Sequence, residues 1–228
     1  MEVEFVRSTL AAQFSIAASV VPKNSPKDVL KYVKMVATRD GVFLFATDSE
    51  NGIRIKANGI LSASHGECLL PVDRMTLILR ESTDETLKVS TLGDTIHVRG
   101  RKSKHKIQAV PPGEFPAFVE PSKDKTLQGT GADFCRITKR VHFAYDDDRS
   151  TARFSLASVR IIFSDNKLAA YAANGKMIAG DSCECVTSHS NRDAFTLIPP
   201  GSFAMIWKAF ADVEESVTVA VSPSSLYI

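Results

Sequence analysis

The chain has 228 residues, of which 44% are hydrophobic and 24% charged, and its formal net charge is +2. This balance is typical of a globular protein, and no apolar run approaches the roughly 18 residues that a membrane-spanning helix requires. The acidic start, MEVEFVRSTL, is unlike a secretory signal, and the four cysteines are scattered. We therefore expect a cytoplasmic protein without membrane contact, and the small net charge does not by itself predict nucleic-acid binding.

The first part of the chain alternates between helical and β-type patterns. Apolar residues that recur every three or four positions predict a helix, and apolar residues at every second position predict a half-buried strand. In chain order these patterns predict a helix over 7–18, strands over 31–37 and 42–47, a helix over 72–81, a strand in ETLKVS, and a hairpin in VRGRKSKHKIQ whose second strand is 104–110.

The second part repeats this order after a polar stretch, residues 119–131, which contains too few apolar residues to supply a core. This stretch therefore predicts a domain boundary. The patterns that follow it predict a helix over 133–143, strands over 153–163 and 168–173, a helix over 201–210 and a strand in ESVTVAV.

Two stretches, one in each part of the chain, also resemble each other residue by residue. FATDSENGIR (45–54) and AYAANGKMIA (170–179) each begin in an apolar strand and each run on through Gly to a hydrophobic residue. Other landmarks recur at nearly the same distance along the chain: Pro71 with Pro199, and Ile96 with Leu226. A repeat at one fixed spacing predicts a tandem duplication.

The duplication predicts two domains, 1–120 and 121–228. Their shared order of helix, strands, helix, strands, with short connections, predicts an α+β fold in which two helices per copy pack on antiparallel sheets. The second copy ends soon after Leu226, whereas the first continues through a further hairpin. We therefore expect the second domain to lack its final hairpin.

The predicted helix 133–143 carries two distinct faces. Apolar residues at helical spacing predict a stripe that packs on a sheet: Phe134, Ile137 and Val141. Three basic residues lie on another face of the helix: Arg136, Lys139 and Arg140. No acid is interleaved among them, and we therefore expect this face to be free of acids. This pattern fits an ordinary solvated face as well as a surface that contacts phosphates. In helix 201–210 the aromatic stripe is typical of a core.

Several motifs resemble the bacterial DNA polymerase III β subunit, the sliding clamp family. ATDSENGIR, LLPVDRMTLILR and VPPGEFPAF are similar to phrases of the family's first domain, and ARFSLASV and AANGKMIA are weaker forms of phrases in its second. The resemblance implies a processivity factor that encircles duplex DNA as a head-to-tail dimer of three-domain subunits and binds the replicative polymerase and the clamp loader. It implies no catalysis, cofactor or metal, and the third domain would be absent from this chain.

The resemblance also implies which cations approach DNA. A clamp holds DNA without reading its sequence, so long cationic side chains directed at phosphates are sufficient. The candidates lie on pore-lining helices or in neighbouring loops, and for the loop residues simple solubility is an equal alternative: Lys23, Lys27, Arg74, Arg80, Arg136, Lys139, Arg140, Arg149, Arg153 and Lys208.

The basic hairpin 98–108 has three interpretations. Charged residues on an edge strand prevent non-specific strand pairing. In the family this edge pairs across the subunit boundary, which makes Arg101, Lys104 and Lys106 interface charges and His105 and Ile107 apolar contacts. Contact with DNA is the third interpretation.

The family's cleft for partner peptides lies beside the second repeated phrase. Its counterparts here are Leu156, Ala173, Gly175, Lys176, Met177 and Ile178. Because this phrase departs from the family's pattern at four positions, we expect weaker binding of clamp-interacting peptides than in a complete clamp.

Two other functions remain open from the sequence. One is a trimeric clamp with two domains per chain, and the other is a clamp-fold interaction module that has lost ring function. The residues show no nucleophile–base set for catalysis, and Cys183 and Cys185 lack a second ligand pair for zinc. The chain alone is expected to be a monomer or a weak dimer that does not close a ring.

Overall fold

The structure is a computed structural model that describes residues 1–22, 24–118, 126–146, 156–164, 166–187, 194–199, 201–210, 216–222 and 225–227. It divides the chain into two compact units, unit 1 (Met1–Phe118) and unit 2 (Val119–Ile228). Within the part of the chain that the structure describes, no helix is both long and apolar enough to span a membrane.

Unit 1 contains two helices and two antiparallel sheets. Its elements in chain order are β1 (Glu2–Val6), α1 (Arg7–Ala18), β2 (Tyr32–Thr38), β3 (Gly41–Thr47), β4 (Gly52–Lys56), β5 (Ile60–Ser64), β6 (Gly66–Pro71), α2 (Val72–Glu81), β7 (Thr86–Leu92), β8 (Thr95–Arg99) and β9 (Lys104–Gln108). The sheet orders are β5-β1-β7-β8-β9 and β4-β3-β2-β6, and the two helices pack against each other.

Unit 2 repeats this plan. Its elements are β10 (Thr126–Thr130), α3 (Gly131–Val141), β11 (Val159–Ser164), β12 (Lys167–Ala173), β13 (Ile178–Glu184), β14 (Val186–Thr187), β15 (Ala194–Ile198), α4 (Gly201–Phe210), β16 (Ser216–Ser222) and β17 (Ser225–Tyr227). The sheet orders are β14-β10-β16-β17 and β13-β12-β11-β15, so each strand has its counterpart from unit 1 at the same place. The residues described in unit 2 include no counterpart of β9. The predicted α+β fold of repeated domains is confirmed.

The core of each unit forms where the apolar stripe of a helix meets the alternating face of a sheet. In unit 2 the three stripe residues of α3 are buried as predicted, and they pack with Val159, Ile161 and Ala170 of the facing strands. Burial of a large aliphatic or aromatic side chain contributes about 1.5–3 kcal/mol. This packing therefore fixes which side of α3 is turned away from the sheet.

The two units join their helices by different polar contacts. In unit 1 the Arg7 guanidinium donates from Nη1 to the carbonyl of Leu79 (2.8 Å) and from Nε to that of Asp84 (2.9 Å). This contact satisfies a carbonyl in the last turn of α2 that has no partner within the helix. In unit 2 the Trp207 indole of α4 donates to the hydroxyl of Thr138 in α3 (2.8 Å).

The structure corrects several predicted element boundaries, among them the end of α3, which lies at Val141 and not at 143. Helix α3 begins at Gly131, two residues before the predicted start, because the Thr130 hydroxyl accepts a hydrogen bond from the backbone N–H of Asp133 (3.1 Å) and caps the helix there. The strand predicted over 153–163 is narrower, since the described residues before Val159 form a turn. The edge strand β9 ends at Gln108 and not at the predicted residue 110, which is followed directly by Pro111 and Pro112.

The segment VPPGEFPAF packs back on the second sheet of unit 1. Phe115 is buried, and the ring of Phe118 lies edge-on to Phe45 of β3, with 5.1 Å between the ring centroids. A Cβ atom at Gly52 would lie 2.9 Å from the Phe118 ring, so this position accommodates only glycine without rearrangement. The end of unit 1 thus covers the outer face of its own sheet.

The first repeated phrase forms a side-chain-capped hairpin turn. The Asp48 carboxylate accepts hydrogen bonds from the backbone N–H groups of Glu50 (2.9 Å) and Asn51 (2.6 Å). Ser49, which lies between Asp48 and Glu50, has a φ of 83° in the left-handed region. This Asx-type turn joins β3 to β4.

The second repeated phrase forms the same turn between β12 and β13. The Asn174 side-chain oxygen accepts from the backbone N–H groups of Lys176 (3.1 Å) and Met177 (3.0 Å), and Gly175 has a φ of 81°. The similar phrases therefore encode one hairpin turn used once in each unit.

The two turns predict opposite effects of exchanging Ser and Gly. Gly175→Ser should destabilise unit 2 by about 1–2 kcal/mol, because an L-residue in the left-handed region carries that steric cost. Ser49→Gly should leave unit 1 unchanged or slightly more stable, because relief of that strain exceeds or balances the entropy cost of glycine, about 0.5–1 kcal/mol. Urea unfolding of both variants measures these changes, and an unchanged midpoint for Gly175→Ser would contradict the expected strain.

A buried carboxylate fixes the β8–β9 turn. Asp84 follows α2, and its side chain accepts hydrogen bonds from the Ser103 hydroxyl (2.7 Å) and the backbone N–H of Lys102 (3.1 Å). The Ser103 hydrogen bond, helped by those from Lys102 and Ser82, holds the pKa of Asp84 below its ordinary value, although burial acts to raise it. The ionised carboxylate is therefore the form that the folded state favours.

This lowered pKa predicts an acid-dependent contribution to the stability of unit 1. The contribution of Asp84 is fully present above its unfolded pKa of about 3.9 and is lost as the pH falls through the lower folded value. The stability difference between the parent chain and Asp84→Asn should therefore shrink as the pH falls below about 4. Denaturant unfolding across this range measures it, and a difference independent of pH would contradict the prediction.

Candidate nucleic-acid interface

The cations of α3 lie on the side turned away from the core. Because the apolar stripe is held against the sheet, Arg136, Lys139 and Arg140 project from the remaining surface of the helix. Lys139 and Arg140 are exposed, and Arg136 is partly buried. The structure thus brings together the three predicted cations of this helix.

The expectation that no acid shares this face is wrong. Strand β13 places Asp181 beside the helix, where its Oδ2 atom accepts from Nη1 of Arg136 (2.8 Å) and from Nη1 of Arg140 (3.3 Å). Asp133, one turn earlier in α3, also pairs with Arg136 (3.2 Å). Asp133 lies three residues before Arg136, so its position beside Arg136 on the helix could be predicted from the sequence. The position of Asp181 depends on how β13 packs against the helix. Two of the three cations are therefore partly neutralised.

Lys139 has a different environment. Its ammonium lies 5.9 Å from the centroid of the Trp207 ring, within reach of a cation–π interaction. Trp207 also stacks on Phe203 and contacts His142 edge-on, so it is part of the helix packing, and the prediction of a core stripe there agrees with this arrangement. Among the residues that the structure describes, no carboxylate lies within ion-pair distance of Lys139.

The two candidate cations of α2 do not form one surface. Arg74 and Arg80 are six residues apart, which places them on different sides of a helix. Arg80 pairs with Glu81 (2.7 Å) where both side chains are largely exposed, so this ion pair adds little stability and yields readily to another anion. Arg74 lines a groove beside β9.

The other candidates have less structural support. Lys27 is exposed in the loop that leads into β2. Lys23, Arg149 and Arg153 lie outside the described residues, and of Lys208 only the backbone position in α4 is described.

A groove of about 660 Å³ runs between α2 and the edge strand β9. Strand β9 is the last strand of its sheet, so its outer backbone groups and side chains border this groove. Lys102, Lys104 and Lys106 line the side formed by β9 and the turn before it, and Arg74 and Glu81 lie on the α2 side. The exposed Leu77 of α2 supplies an apolar contact that was not predicted from the sequence. The groove can accept an apolar segment flanked by acids.

The predicted interface residues on this edge are not equivalent. Arg101, Lys104 and Lys106 are exposed and His105 is partly exposed, which fits the predicted contacts with a partner. Ile107 is only 4% exposed and lies opposite Ile96 of β8, so its side chain belongs mainly to the core of unit 1. Its contribution to a partner contact is therefore small.

The predicted peptide-cleft residues cluster at the β12–β13 hairpin. Ile178 is 76% exposed, Met177 is also exposed, and Ala173 borders them at the end of β12. Gly175 and Lys176 form the turn, whereas Leu156 lies before β11 in the chain. The same sheet also exposes apolar residues that the sequence analysis did not select: Tyr171, Phe195 and Leu197.

Solved structures of sliding clamps resemble this chain over almost its entire length. The β subunit of DNA polymerase from Streptococcus pyogenes has a TM-score of 0.88 at 19% identity and matches 99% of this chain and 61% of its own. The sliding clamp from Bacillus subtilis gives 0.87 at 16% identity, covering 97% and 60%. The DNA polymerase III β subunit from Thermotoga maritima gives 0.82 at 21% identity, covering 100% and 61%.

These similarities establish the fold, and the chain spans about 60% of the length of the structures it matches. No curated protein sequence matches it significantly. The family model described as "DNA polymerase III beta subunit, N-terminal domain" matches residues 1–119. Because that match includes more than half of the chain, this protein belongs to the DNA polymerase III β-subunit family.

Proposed function

We propose that this chain is part of a DNA sliding clamp, a non-enzymatic processivity factor that encloses duplex DNA and tethers the replicative polymerase. The observation that carries the proposal is the exposed cationic side of α3, set on a duplicated clamp-fold unit. In the proposal, residues 1–120 are the N-terminal clamp domain and residues 121–228 belong to the central domain.

Phosphate contact explains the type of side chains on this surface. Arginine and lysine reach phosphate oxygens without contacting base edges, so binding through them is independent of sequence. The surface offers Lys139, which lies near the Trp207 ring, and two arginines whose acidic partners DNA must replace. Such contacts hold a duplex electrostatically and allow movement along it.

The groove beside β9 is the proposed subunit interface. An edge strand supports pairing with a strand of another chain, and its lysines favour a partner that carries acids. Lys104 and Lys106 project beside the groove, and Leu77 provides an apolar contact within it. In this proposal the partner is another clamp subunit, and the clamp loader acts on the ring so formed.

The β12–β13 hairpin is the proposed contact for clamp-binding peptides. Met177 and Ile178 supply an apolar surface, because both are exposed next to the turn. The flexible side chain of Met177 can adapt to irregular partners, but it cannot donate a hydrogen bond to them. The hairpin therefore favours weak binding driven by apolar contact.

A clamp-fold interaction module is the second candidate function. It is favoured by the paired state of the cations, since Arg80, Arg136 and Arg140 each have a carboxylate partner. The two functions differ in whether duplex DNA binds to α3 at all, and a salt titration distinguishes them.

Phosphate contact by α3 makes DNA binding dependent on salt through specific residues. Replacing Arg136, Lys139 and Arg140 together by Ala should weaken binding of the chain to any duplex equally. It should also reduce the slope of log K against log salt, because each phosphate contact contributes about −0.9. Fluorescence anisotropy at low salt with two unrelated duplexes measures both effects.

The matched control removes three cations from ion pairs of unit 1. Lys31, Lys34 and Lys88 pair with acids, as the α3 arginines do, but they lie outside the proposed DNA surface. Their triple Ala variant should retain the slope of the parent chain. Equal slopes for all three proteins would remove α3 from the DNA surface and favour the interaction module.

Weak peptide binding at the β12–β13 hairpin should depend on Ile178. A fluorescent clamp-motif peptide should bind this chain in the micromolar range or more weakly, and Ile178→Ala should weaken it by roughly tenfold, consistent with losing part of a buried side chain's contribution. Val186→Ala is the control, because Val186 is an exposed aliphatic residue on the other sheet of unit 2. Nanomolar binding, or equal losses in both variants, would contradict the proposed contact.

A further inference from the structure

Asp181 is the most enclosed member of the ion cluster on α3. Its side chain is 19% exposed, compared with 37% for Arg136 and 64% for Arg140. One of its carboxylate oxygens accepts from both guanidinium groups, at 2.8 and 3.3 Å. The strand thus holds a fixed negative charge between two helix cations.

Unit 1 shows that the fold does not need a charge at this strand position. Asp181 of β13 lies opposite Ala170 of β12, and in unit 1 Ile55 of β4 lies opposite Leu44 of β3 at the equivalent place in the sheet order. Each of these strands packs against the first helix of its unit. The same site is therefore filled by an aliphatic residue in one unit and by a carboxylate in the other.

The helix side of the site changes in the same way. Val6 precedes α1 as Thr130 precedes α3, so counting from the helix starts places Ala12 and Ile16 at the positions of Arg136 and Arg140. The positions that form the ionic contact of unit 2 are thus occupied by apolar residues on both the helix and the strand of unit 1. Partly exposed ion pairs of this kind contribute little to stability in general, so stability alone does not account for the charges.

We propose that Asp181 limits the DNA affinity of this surface by competing with phosphates for Arg136 and Arg140. The inference rests on the proposed function, because it concerns how the same surface binds DNA. When a phosphate binds, the guanidinium groups turn from Asp181 toward the DNA, and the carboxylate stays nearby as a like charge to the phosphate. Both effects reduce affinity relative to three unpaired cations.

The test is the nearly isosteric substitution Asp181→Asn in the full chain. Loss of the charge should increase the affinity for a random-sequence duplex roughly three- to tenfold at low salt. The slope of log K against log salt should also steepen, by less than about 1.8, because that value corresponds to two complete phosphate contacts and both arginines already contact phosphates part of the time in the parent chain. Asp181→Ile is a second variant, because Ile occupies the equivalent position in unit 1. Thermal unfolding checks that both variants are folded.

Two controls separate a local effect from a change in net charge. Glu67→Gln also removes one acid from an ion pair, with Lys34 in unit 1, and should change DNA binding far less. In the background of the triple Ala variant of α3, Asp181→Asn should have no further effect, because the arginines through which it acts are absent.

The outcomes distinguish the inference from the proposed function. Tighter binding with a steeper slope, confined to variants that retain the arginines, supports the inference. If the triple variant loses slope but Asp181→Asn and Asp181→Ile bind like the parent chain, the inference alone is wrong. If Glu67→Gln gives the same gain, the effect is general charge and the inference is also wrong. If neither the parent chain nor the Asp181 variants bind duplex DNA, both are wrong.

Discussion

Burial of a helix stripe on an antiparallel sheet is the constraint on which the surfaces of this protein depend. Helix α3 lies against β12 and β13, and its stripe shares one buried cluster with residues of β11 and β12. This packing fixes the rotation of the helix about its axis. The cations then have one direction in which to project, and the neighbouring strand β13 determines which groups they meet. The chemistry of the outer surface is thus set by apolar packing beneath it.

The duplication conserves this packing and changes the polar groups around it. Both units pair two helices, but Arg7 makes the polar contact in unit 1, and Trp207 with Thr138 makes it in unit 2. The hairpin turns preserve a side-chain oxygen and a left-handed residue, although one turn uses Asp and Ser and the other uses Asn and Gly. Geometry is therefore repeated where the backbone requires it, and side-chain identity varies where several residues meet the same requirement.

The sequence predicts the local structure well because that structure follows from local patterns. The limits of α1, α2 and α4 agree with the apolar periodicity, and the repeated order of elements predicts the α+β fold. Contacts between residues that are distant in the chain are harder to predict from the sequence. Asp181 lies 45 residues from Arg136, and only the packing of β13 on α3 brings the two together. A cationic face can thus be predicted from helical spacing, whereas its neutralisation depends on the tertiary structure.

This neutralisation changes how the surface should be understood. A helix with three unpaired cations would bind any polyanion strongly, whereas here two arginines already have a carboxylate acceptor. Binding of a phosphate is then an exchange of one anion for another, whose net free energy is smaller than the full attraction because the original ion pair is lost. Such exchange suits a protein that must remain on DNA without stopping at any sequence, since each contact forms and breaks at low cost. If α3 binds DNA as proposed, the acid on β13 is as much a part of the binding surface as the cations on α3.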